Sequence, residues 1–404
     1  MIFGKDLADL YIQRGSLRDA GNRIVRACGA LEIELGPVHV SPYDRTEKFF
    51  RTGALANYVV FAFDWRRDVR ESARLLQGFL EELGARAPGA PARTTLLGHS
   101  MGGLVGKAFL SMVLENQPEQ ASRYFSRFIS VGTPFFGTAN HHVRYYEGES
   151  ALAPLIPDGK RRMAELVASA PGLGCLLPMD LETYQQAGQA LGIPVYPVRD
   201  QDSGAEVDPR DPAQLERYPV WVDPFADQLV ESRSVQHLMA RPLPGSLASR
   251  CFHLYTTKVP TAHRFSWGRL EDRAKYHPNH HRPPLRYWNG DGDGTVPVWS
   301  ASLLGTPPEN IRPLAQAKSH GGLLEHPEVL SAIWSIVRQD LPEAMRHTFD
   351  DRATQSLQRV RSWFNRMVEE AAPRPKSFLE LDAGVRFGEA GELGAKKLVY
   401  ELIL

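Results

Sequence analysis

The chain has 404 residues, which is enough for more than one domain or for one large α/β domain with insertions. Hydrophobic residues make up 43% of it and charged residues 23%, as is typical of soluble globular proteins. Lys plus Arg and Asp plus Glu both number 47, so the charge balance does not indicate a nucleic-acid-binding protein. No apolar run is long enough to cross a bilayer, and the first twenty residues lack the layout of a signal peptide. We therefore expect a cytoplasmic protein by default, an expectation that a segment missing ahead of Met1 would change.

The first sixty residues predict short elements. Residues 1–30 favour two short helices, and the segments 31–35 and 38–40 favour short strands. A helix is expected from Tyr43 to Leu55. The continuous apolar run from Tyr58 to Phe63 is typical of an inner strand in a parallel sheet covered on both faces.

The next part alternates helix and strand. Apolar residues repeat at helical spacing from Val69 to Leu83, which predicts an amphipathic helix that stops at Gly84. A strand over 94–97, a helix from Met101 and a strand over 128–131 follow. This order indicates a parallel α/β sheet with right-handed crossovers.

Residues 139–250 break the alternation, because prolines and scattered aromatic residues interrupt them. Clear helical patterns occur only near 159–168 and 226–240. So long an excursion between core strands predicts a lid or cap.

The core pattern then resumes. Strands are expected at 251–256 and 311–314, with an irregular loop over 260–288 between them and a helix from about Pro327. From residue 341 onward the pattern predicts one more helix and a strand-like tail.

The most informative stretch is Gly98-His99-Ser100-Met101-Gly102, which lies between a predicted strand and a predicted helix. A Gly-x-Ser-x-Gly turn in that setting is a nucleophile elbow, which presents a reactive serine at the edge of a sheet. We expect Gly98 and Gly102 to omit the Cβ atoms that would collide in so tight a turn. The pattern predicts that Ser100 is a nucleophile.

A serine hydroxyl needs a base and a carboxylate that orients the base, and in this fold they follow in the order Ser, acid, His. Asp293 and His320 satisfy that order, each in a loop after a predicted strand. Asp293 is preferred over Asp291 because it directly precedes the stretch that returns to the core, although an Asx turn or a calcium loop is the alternative there. His326 is the rival base, but Pro327 places it at a helix start.

An oxyanion hole needs two backbone N–H donors. Met101, directly after the nucleophile, can supply one. No strand followed by a glycine loop supplies the second donor upstream of Phe63. The alternatives are Leu31–Leu35 with Gly36, or a loop lost ahead of Met1.

Two other kinds of site are disfavoured. His277, His280 and His281 cluster, but prolines and arginines surround them without an acidic or cysteine partner at a ligand spacing, so a solvated loop is favoured over a metal site. Three widely spaced cysteines argue against a disulfide framework. We predict neither a metal nor a cofactor.

Five segments in this order resemble the lecithin:cholesterol acyltransferase family, which includes lysosomal phospholipase A2 and bacterial esterase or lipase relatives. They span roughly residues 38–335 and are Phe63-Asp64-Trp65-Arg66, Gly98 to Gly103, Gly132-Thr133-Pro134-Phe135, Gly292 to Pro297, and the loop that starts at His320. The resemblance implies that Ser100, Asp293 and His320 form the triad, that Trp65 lines the acyl-group site, and that Thr133 contributes to substrate binding.

Two departures limit what the resemblance implies. Family members begin with a strand and a Pro-Gly loop that this chain does not show, so the second oxyanion donor is not carried over. The paired cysteines of the animal enzymes have no counterpart, so acyl transfer to a sterol does not follow.

The resulting prediction is an α/β-hydrolase fold, with a mostly parallel sheet flanked by helices, a lid or cap insertion and a C-terminal extension. Its parts are an N-terminal helical segment (1–37), a first core part (38–138), a lid or cap (139–250), a second core part (251–340) and a C-terminal helix and tail (341–404). The expected activity is a serine esterase, lipase or O-acyltransferase acting on fatty-acyl or phospholipid esters, with transient membrane-surface contact and no nucleic-acid partner. The alternatives are a binding or regulatory protein with impaired catalysis, and a carboxylesterase or thioesterase with a small substrate.

Overall fold

A computed structural model describes residues 33–35, 38–40, 43–50, 59–141, 164–165, 167–193, 195–218, 226–268, 286–314 and 319–340. In chain order its strands are β1 (Ile33–Leu35), β2 (Val38–Val40), β3 (Thr95–His99), β4 (Arg127–Val131), β5 (Val198–Asp200), β6 (Cys251–Thr256), β7 (Thr261–Trp267), β8 (Arg286–Gly290) and β9 (Ile311–Leu314). Its α-helices are α1 (Asp44–Lys48), α2 (Val69–Arg86), α3 (Met101–Phe109), α4 (Pro171–Gly174), α5 (Leu181–Ala187), α6 (Pro212–Leu215), α7 (Ala226–Ala240), α8 (Gly245–Ala248) and α9 (Pro327–Val337).

The described core is a parallel sheet in the order β3–β4–β6–β9. Because all four strands run the same way, the loops after them emerge at one edge, where ligands bind in open α/β sheets. The predicted strands at 128–131, 251–256 and 311–314 are confirmed within one residue. The short strands predicted at 31–35 and 38–40 are present over 33–35 and 38–40, and the structure shows that β1 pairs antiparallel with β2.

Helix α3 packs on β3 and β4, and helix α2 packs on α3. Helix α2 begins at Val69 and is capped by Asp68, whose carboxylate accepts a hydrogen bond from the backbone N–H of Arg70. The helix continues to Arg86, so the predicted stop at Gly84 is wrong. A Cβ at Gly84 would lie 3.4 Å from Pro91 Cγ, an ordinary van der Waals distance, so this position neither ends the helix nor requires glycine for space.

Two predictions about strands are wrong. Residues 59–63 form no strand among the described residues, because their apolar side chains pack against the core without backbone pairing to the sheet. The predicted loop over 260–288 contains β7 and β8 at its two ends. The pattern misses them because β7 pairs with β5, which lies about sixty residues earlier in the chain.

The long insertion is partly helical and partly sheet. Helix α7 confirms the predicted helix at 226–240, and residues 164–165 and 167–169 are helical as expected. Strand β5 of the insertion forms a second sheet with β7 and β8, which follow the insertion in the chain. A lid or cap role for 139–250 stays a prediction.

Several predictions fall outside the described residues. They are the helices of 1–30, the end of the helix predicted to reach Leu55, the cluster of His277, His280 and His281, and everything from 341 to 404. No helix in the described part of the chain is both long and apolar enough to cross a membrane.

Candidate functional site

Ser100 lies in a sharp turn between β3 and α3. Its backbone has φ 52° and ψ −126°, and it is the one non-glycine residue with positive φ in the described part of the chain. Its N–H donates to the carbonyl of Val131 at 3.0 Å, which fixes the turn against the end of β4. Strain of this kind costs of order 1–3 kcal/mol, and surrounding structure must hold it in place. The predicted elbow geometry is therefore present at Ser100.

The positions of the turn that have no space for a Cβ atom differ in part from those expected. A Cβ on Gly98 would lie 2.7 Å from the backbone nitrogen of Gly103, so no larger residue fits there. Among the described residues outside its own helix, the atom nearest to a Cβ on Gly102 would be Phe63 Cε1 at 3.9 Å, so the predicted collision there is wrong. Gly103 is the second tight position, because its Cβ would lie 1.9 Å from the Thr133 hydroxyl oxygen.

The three side chains predicted as a triad meet at this edge of the sheet. The Ser100 Oγ lies 2.8 Å from His320 Nε2, and His320 Nδ1 lies 2.7 Å from Asp293 Oδ2. All three residues are buried, with exposures of 5%, 3% and 2%. Because a carboxylate only accepts hydrogen bonds, His320 Nδ1 carries the proton and Nε2 accepts from the serine hydroxyl. In this tautomer Nε2 can take the proton of Ser100.

Asp293 is anchored by its own loop. Its Oδ1 accepts the backbone N–H groups of Thr295 and Val296 at 2.9 and 2.7 Å, which leaves Oδ2 for His320. Burial by itself would raise the pKa of Asp293, but His320 and these two N–H donors outweigh it and hold the pKa below its usual value. The carboxylate is therefore charged at neutral pH.

Asp291 and His326, the alternative acid and base, take no part in the hydrogen bonds that join the predicted triad. The Asp291 side chain is exposed, and its carbonyl accepts from His263 Nε2 at 2.6 Å. His326 lies at the start of α9, where its backbone N–H donates to the carbonyl of Leu323. Among the described residues, the Asp291–Asp293 loop contributes to no group of three potential metal ligands. The geometry therefore favours Asp293 and His320.

Met101 is the first residue of α3. The N–H of a first helical residue has no acceptor within its helix, so the Met101 N–H is free of the helical ladder and lies next to the nucleophile. The second donor is not assigned by the described residues, and Gly36 lies outside them.

Trp65 and Met101 share a neighbour in Gly172. A Cβ on Gly172 would lie 2.2 Å from the Trp65 carbonyl oxygen and 2.7 Å from Met101 Cε. The Gly172 N–H also donates to the Arg66 carbonyl at 3.0 Å. The backbone carbonyl of Trp65 and the side chain of Met101 therefore approach each other across Gly172, and the half-buried Trp65 side chain packs against the core.

Thr133 lies under the elbow. It is fully buried against Gly103, and its hydroxyl has no hydrogen-bond partner among the described residues. Thr133 is therefore positioned to set how closely the turn at Ser100 and Gly103 approaches the residues after β4. A contact of Thr133 with substrate stays a prediction.

One group of described residues has the spacing of metal ligands. Asp180, Glu182 and His237 offer ligand atoms within 4.8 Å of one another. Both carboxylate oxygens of Asp180 already accept from Thr183, through its backbone N–H and its hydroxyl, as in a capped helix start. His237 Nε2 lies 3.5 Å from Asp180 Oδ1 and 3.7 Å from Glu182 Oε2. The contacts with Thr183 account for Asp180 as the N-cap of α5.

The part of the chain that includes the elbow is similar in sequence to a known protein family. The sequence model of the lecithin:cholesterol acyltransferase family matches residues 46–192. This part of the chain is therefore similar to the lecithin:cholesterol acyltransferase family. With the parallel sheet and the elbow, the lecithin:cholesterol acyltransferase match confirms the predicted α/β-hydrolase fold. The match includes Ser100 and Thr133 and ends before Asp293 and His320.

Among solved structures, a chain of the crystal structure of the Tle4–Tli4 complex is 16% identical to this one. The alignment covers 84% of this chain and 79% of that chain, with a TM-score of 0.42. No curated protein matches the chain.

Several residues at the site were missed by the sequence reasoning. His99 was visible inside the elbow motif, whereas Gly172, Asn140 and Thr261 carry no local signal. Asn140 Nδ2 donates to the Gly294 carbonyl at 3.0 Å, and the Gly294 N–H donates to the Thr261 hydroxyl at 2.8 Å. Through these two bonds, residues from two distant parts of the chain fix the loop that carries Asp293.

Proposed function

We propose that this protein is a serine hydrolase that cleaves fatty-acyl esters, phospholipids among them, through an acyl-enzyme. The observation that carries the proposal is the continuous hydrogen-bonded line from Ser100 through His320 to Asp293 at 2.8 and 2.7 Å. A buried serine with a base in reach and a carboxylate behind the base is the arrangement that nucleophilic acyl transfer requires. The family match over residues 46–192 supports a lipid ester as the substrate class.

In the first half of the reaction, Ser100 Oγ forms a bond to the ester carbonyl carbon while His320 Nε2 takes the hydroxyl proton. The negative charge that develops on the carbonyl oxygen is stabilised by the Met101 N–H, and Asp293 stabilises the imidazolium. The alcohol then leaves with the proton from His320, and the acyl group stays on Ser100.

In the second half, water or another alcohol attacks the acyl-enzyme, and His320 again takes and returns the proton. Water gives a hydrolase and an alcohol gives an O-acyltransferase. Trp65, beside Met101, is suited to contact the acyl group, and we assign it that role within the proposal. Transient contact with a lipid surface belongs to the same proposal.

The test is fluorophosphonate labelling together with turnover of a short p-nitrophenyl ester. We expect wild-type protein to label and turn over, and Ser100→Ala to do neither. Ser111→Ala is the matched control, since Ser111 is also buried, continues the same helix and bonds to Lys107 and not to the triad. Wild-type turnover in Ser100→Ala would refute the assignment, and a wild-type protein that neither labels nor turns over would favour the binding-protein alternative.

Substrate class is tested with p-nitrophenyl esters of increasing chain length and with phospholipid vesicles. A lipase is expected to gain kcat/KM with chain length, because each buried CH₂ contributes about 0.8 kcal/mol. A preference for the shortest esters, with no release of fatty acid from vesicles, would favour the carboxylesterase alternative.

A further inference from the structure

The loop that carries His320 is held by a short segment far away in the sequence. This brace segment, residues 43–50, contains α1 and the two residues after it. The buried Thr46 hydroxyl donates to the Leu324 carbonyl at 2.6 Å, and Arg45 Nη1 donates to the Glu325 carbonyl at 2.9 Å. These carbonyls belong to the last two residues of the helical turn that begins at His320, and the last carbonyls of a helix generally need partners from outside it.

A second line of contacts reaches the backbone of His320 itself. His99 Nε2 lies 3.1 Å from the His320 carbonyl oxygen, and the Tyr43 hydroxyl lies 3.4 Å from His99 Nδ1. Burial, with a smaller contribution from His320, lowers the pKa of His99 to about 3, so its imidazole is neutral. Because a carbonyl only accepts, His99 carries its proton on Nε2, and Nδ1 accepts from the Tyr43 hydroxyl.

The backbone N–H and the backbone carbonyl of His320 are therefore both held by hydrogen bonds. Its N–H donates to the Asp293 carbonyl at 2.9 Å and its carbonyl accepts from His99. Apolar packing adds to this, because Phe50 shares one buried cluster with Leu323 and Leu324 of the same loop.

We propose that the brace segment positions His320 for catalysis, with Thr46 as its main positioning residue. This inference rests on the proposed function. A base must hold its nitrogen within hydrogen-bond reach of the serine while its other nitrogen faces the acid. Without the Thr46 hydroxyl the buried Leu324 carbonyl loses its donor, and the loop moves to satisfy it.

The test compares Thr46→Val, which keeps the shape and removes the hydroxyl, with Thr46→Ser, which keeps the hydroxyl. Thr183→Val is the matched control, since Thr183 is equally buried and its hydroxyl bonds to Asp180 in the insertion. Fluorophosphonate labelling rate, kcat, KM and the thermal midpoint are measured for each.

We expect Thr46→Val to lower the labelling rate and kcat by between about 10-fold and 10²-fold with KM unchanged. Thr46→Ser is expected to recover both, and Thr183→Val to keep both while losing a comparable amount of stability. A folded Thr46→Val that labels at the wild-type rate overturns the proposal, and so does a loss of rate in Thr183→Val equal to that in Thr46→Val.

If Thr46→Val does not fold, Tyr43→Phe replaces it, because this change removes only the hydroxyl that faces His99. Its labelling rate is expected to fall, and a wild-type rate overturns the proposal. Failure of the proposed function is distinguishable, since then the wild-type protein itself does not label and Ser100→Ala changes nothing.

Discussion

Replacing Asp293 by Asn tests the triad most directly, because its two carboxylate oxygens accept hydrogen bonds from different donors. Oδ1 accepts two backbone N–H groups, from Thr295 and Val296, and Oδ2 faces His320 Nδ1 at 2.7 Å. An asparagine has the same shape but only one acceptor. Its oxygen must take the Oδ1 position, because an NH₂ group there would face two donors. The Asn NH₂ group therefore faces His320.

The change inverts the tautomer of the base. With an NH₂ group opposite, His320 Nδ1 has to accept, so the proton moves to Nε2 and faces Ser100 Oγ. An Nε2–H group cannot take the proton of the serine. The same substitution in a serine protease triad lowers kcat by about 10⁴, which corresponds to about 5 kcal/mol in the barrier. We expect a loss of that size here, with little change in KM.

The assay is steady-state turnover of a p-nitrophenyl ester together with the fluorophosphonate labelling rate. Asp291→Asn is the matched control, since it makes the same change at an exposed carboxylate two residues away. It is expected to keep wild-type kcat. An Asp293→Asn variant that retains more than about a tenth of wild-type kcat, against the loss of about 10⁴ expected, would refute the role given to this carboxylate. A loss in Asp291→Asn alone would move the acid to residue 291.

Three further predictions concern the surroundings of the site. Gly103→Ala should destabilise the protein by about 1–3 kcal/mol in denaturant unfolding, because the new Cβ meets the Thr133 hydroxyl, and Thr133→Ala in the same chain should restore part of the loss. His253 has its pKa lowered to about 3 by burial, so the unfolded chain takes up a proton between about pH 6.5 and pH 3 that the folded chain does not. Stability is then full above pH 6.5 and falls by up to about 1.4 kcal/mol per pH unit on acidification, and His253→Gln should flatten this slope in thermal melts. Arg210 is fully buried and donates to three backbone carbonyls, so Arg210→Met should cost about 3 kcal/mol or more in unfolding free energy. A cost of less than about 1 kcal/mol would show that those carbonyls find other donors.

The features that sequence could predict are the ones with local causes. The Gly-x-Ser-x-Gly pattern needs only its own residues to indicate a sharp turn, and the positive φ of Ser100 agrees with it. Strands β4 and β6 are short, mostly apolar segments whose pattern agrees with their burial, whereas β9 buries only Leu314. Local pattern and tertiary contacts point the same way in these segments.

The missed features depend on distant partners. Strand β7 exists because β5 and β8 pair with it, and its sequence alone does not specify either. Residues 59–63 show the reverse, since an apolar pattern typical of an inner strand packs without strand pairing. The sequence around Thr46 does not indicate its role, because the Leu324 carbonyl that its hydroxyl contacts is 278 residues later in the chain.

Gly132 explains how residues from separate loops come together. It follows β4, which lies between β3, the strand that precedes Ser100, and β6, and Asp293 forms a parallel bridge with Val259 shortly after β6. Its φ is +55°, and a Cβ there would lie 2.9 Å from Asp293 Oδ2 and 2.7 Å from Leu323 Cδ1. The acid and the loop of the base therefore cross directly over the end of β4, and only a residue without a side chain leaves them room. Strand order brings the loops to one edge, and the glycine lets them close to hydrogen-bond distance.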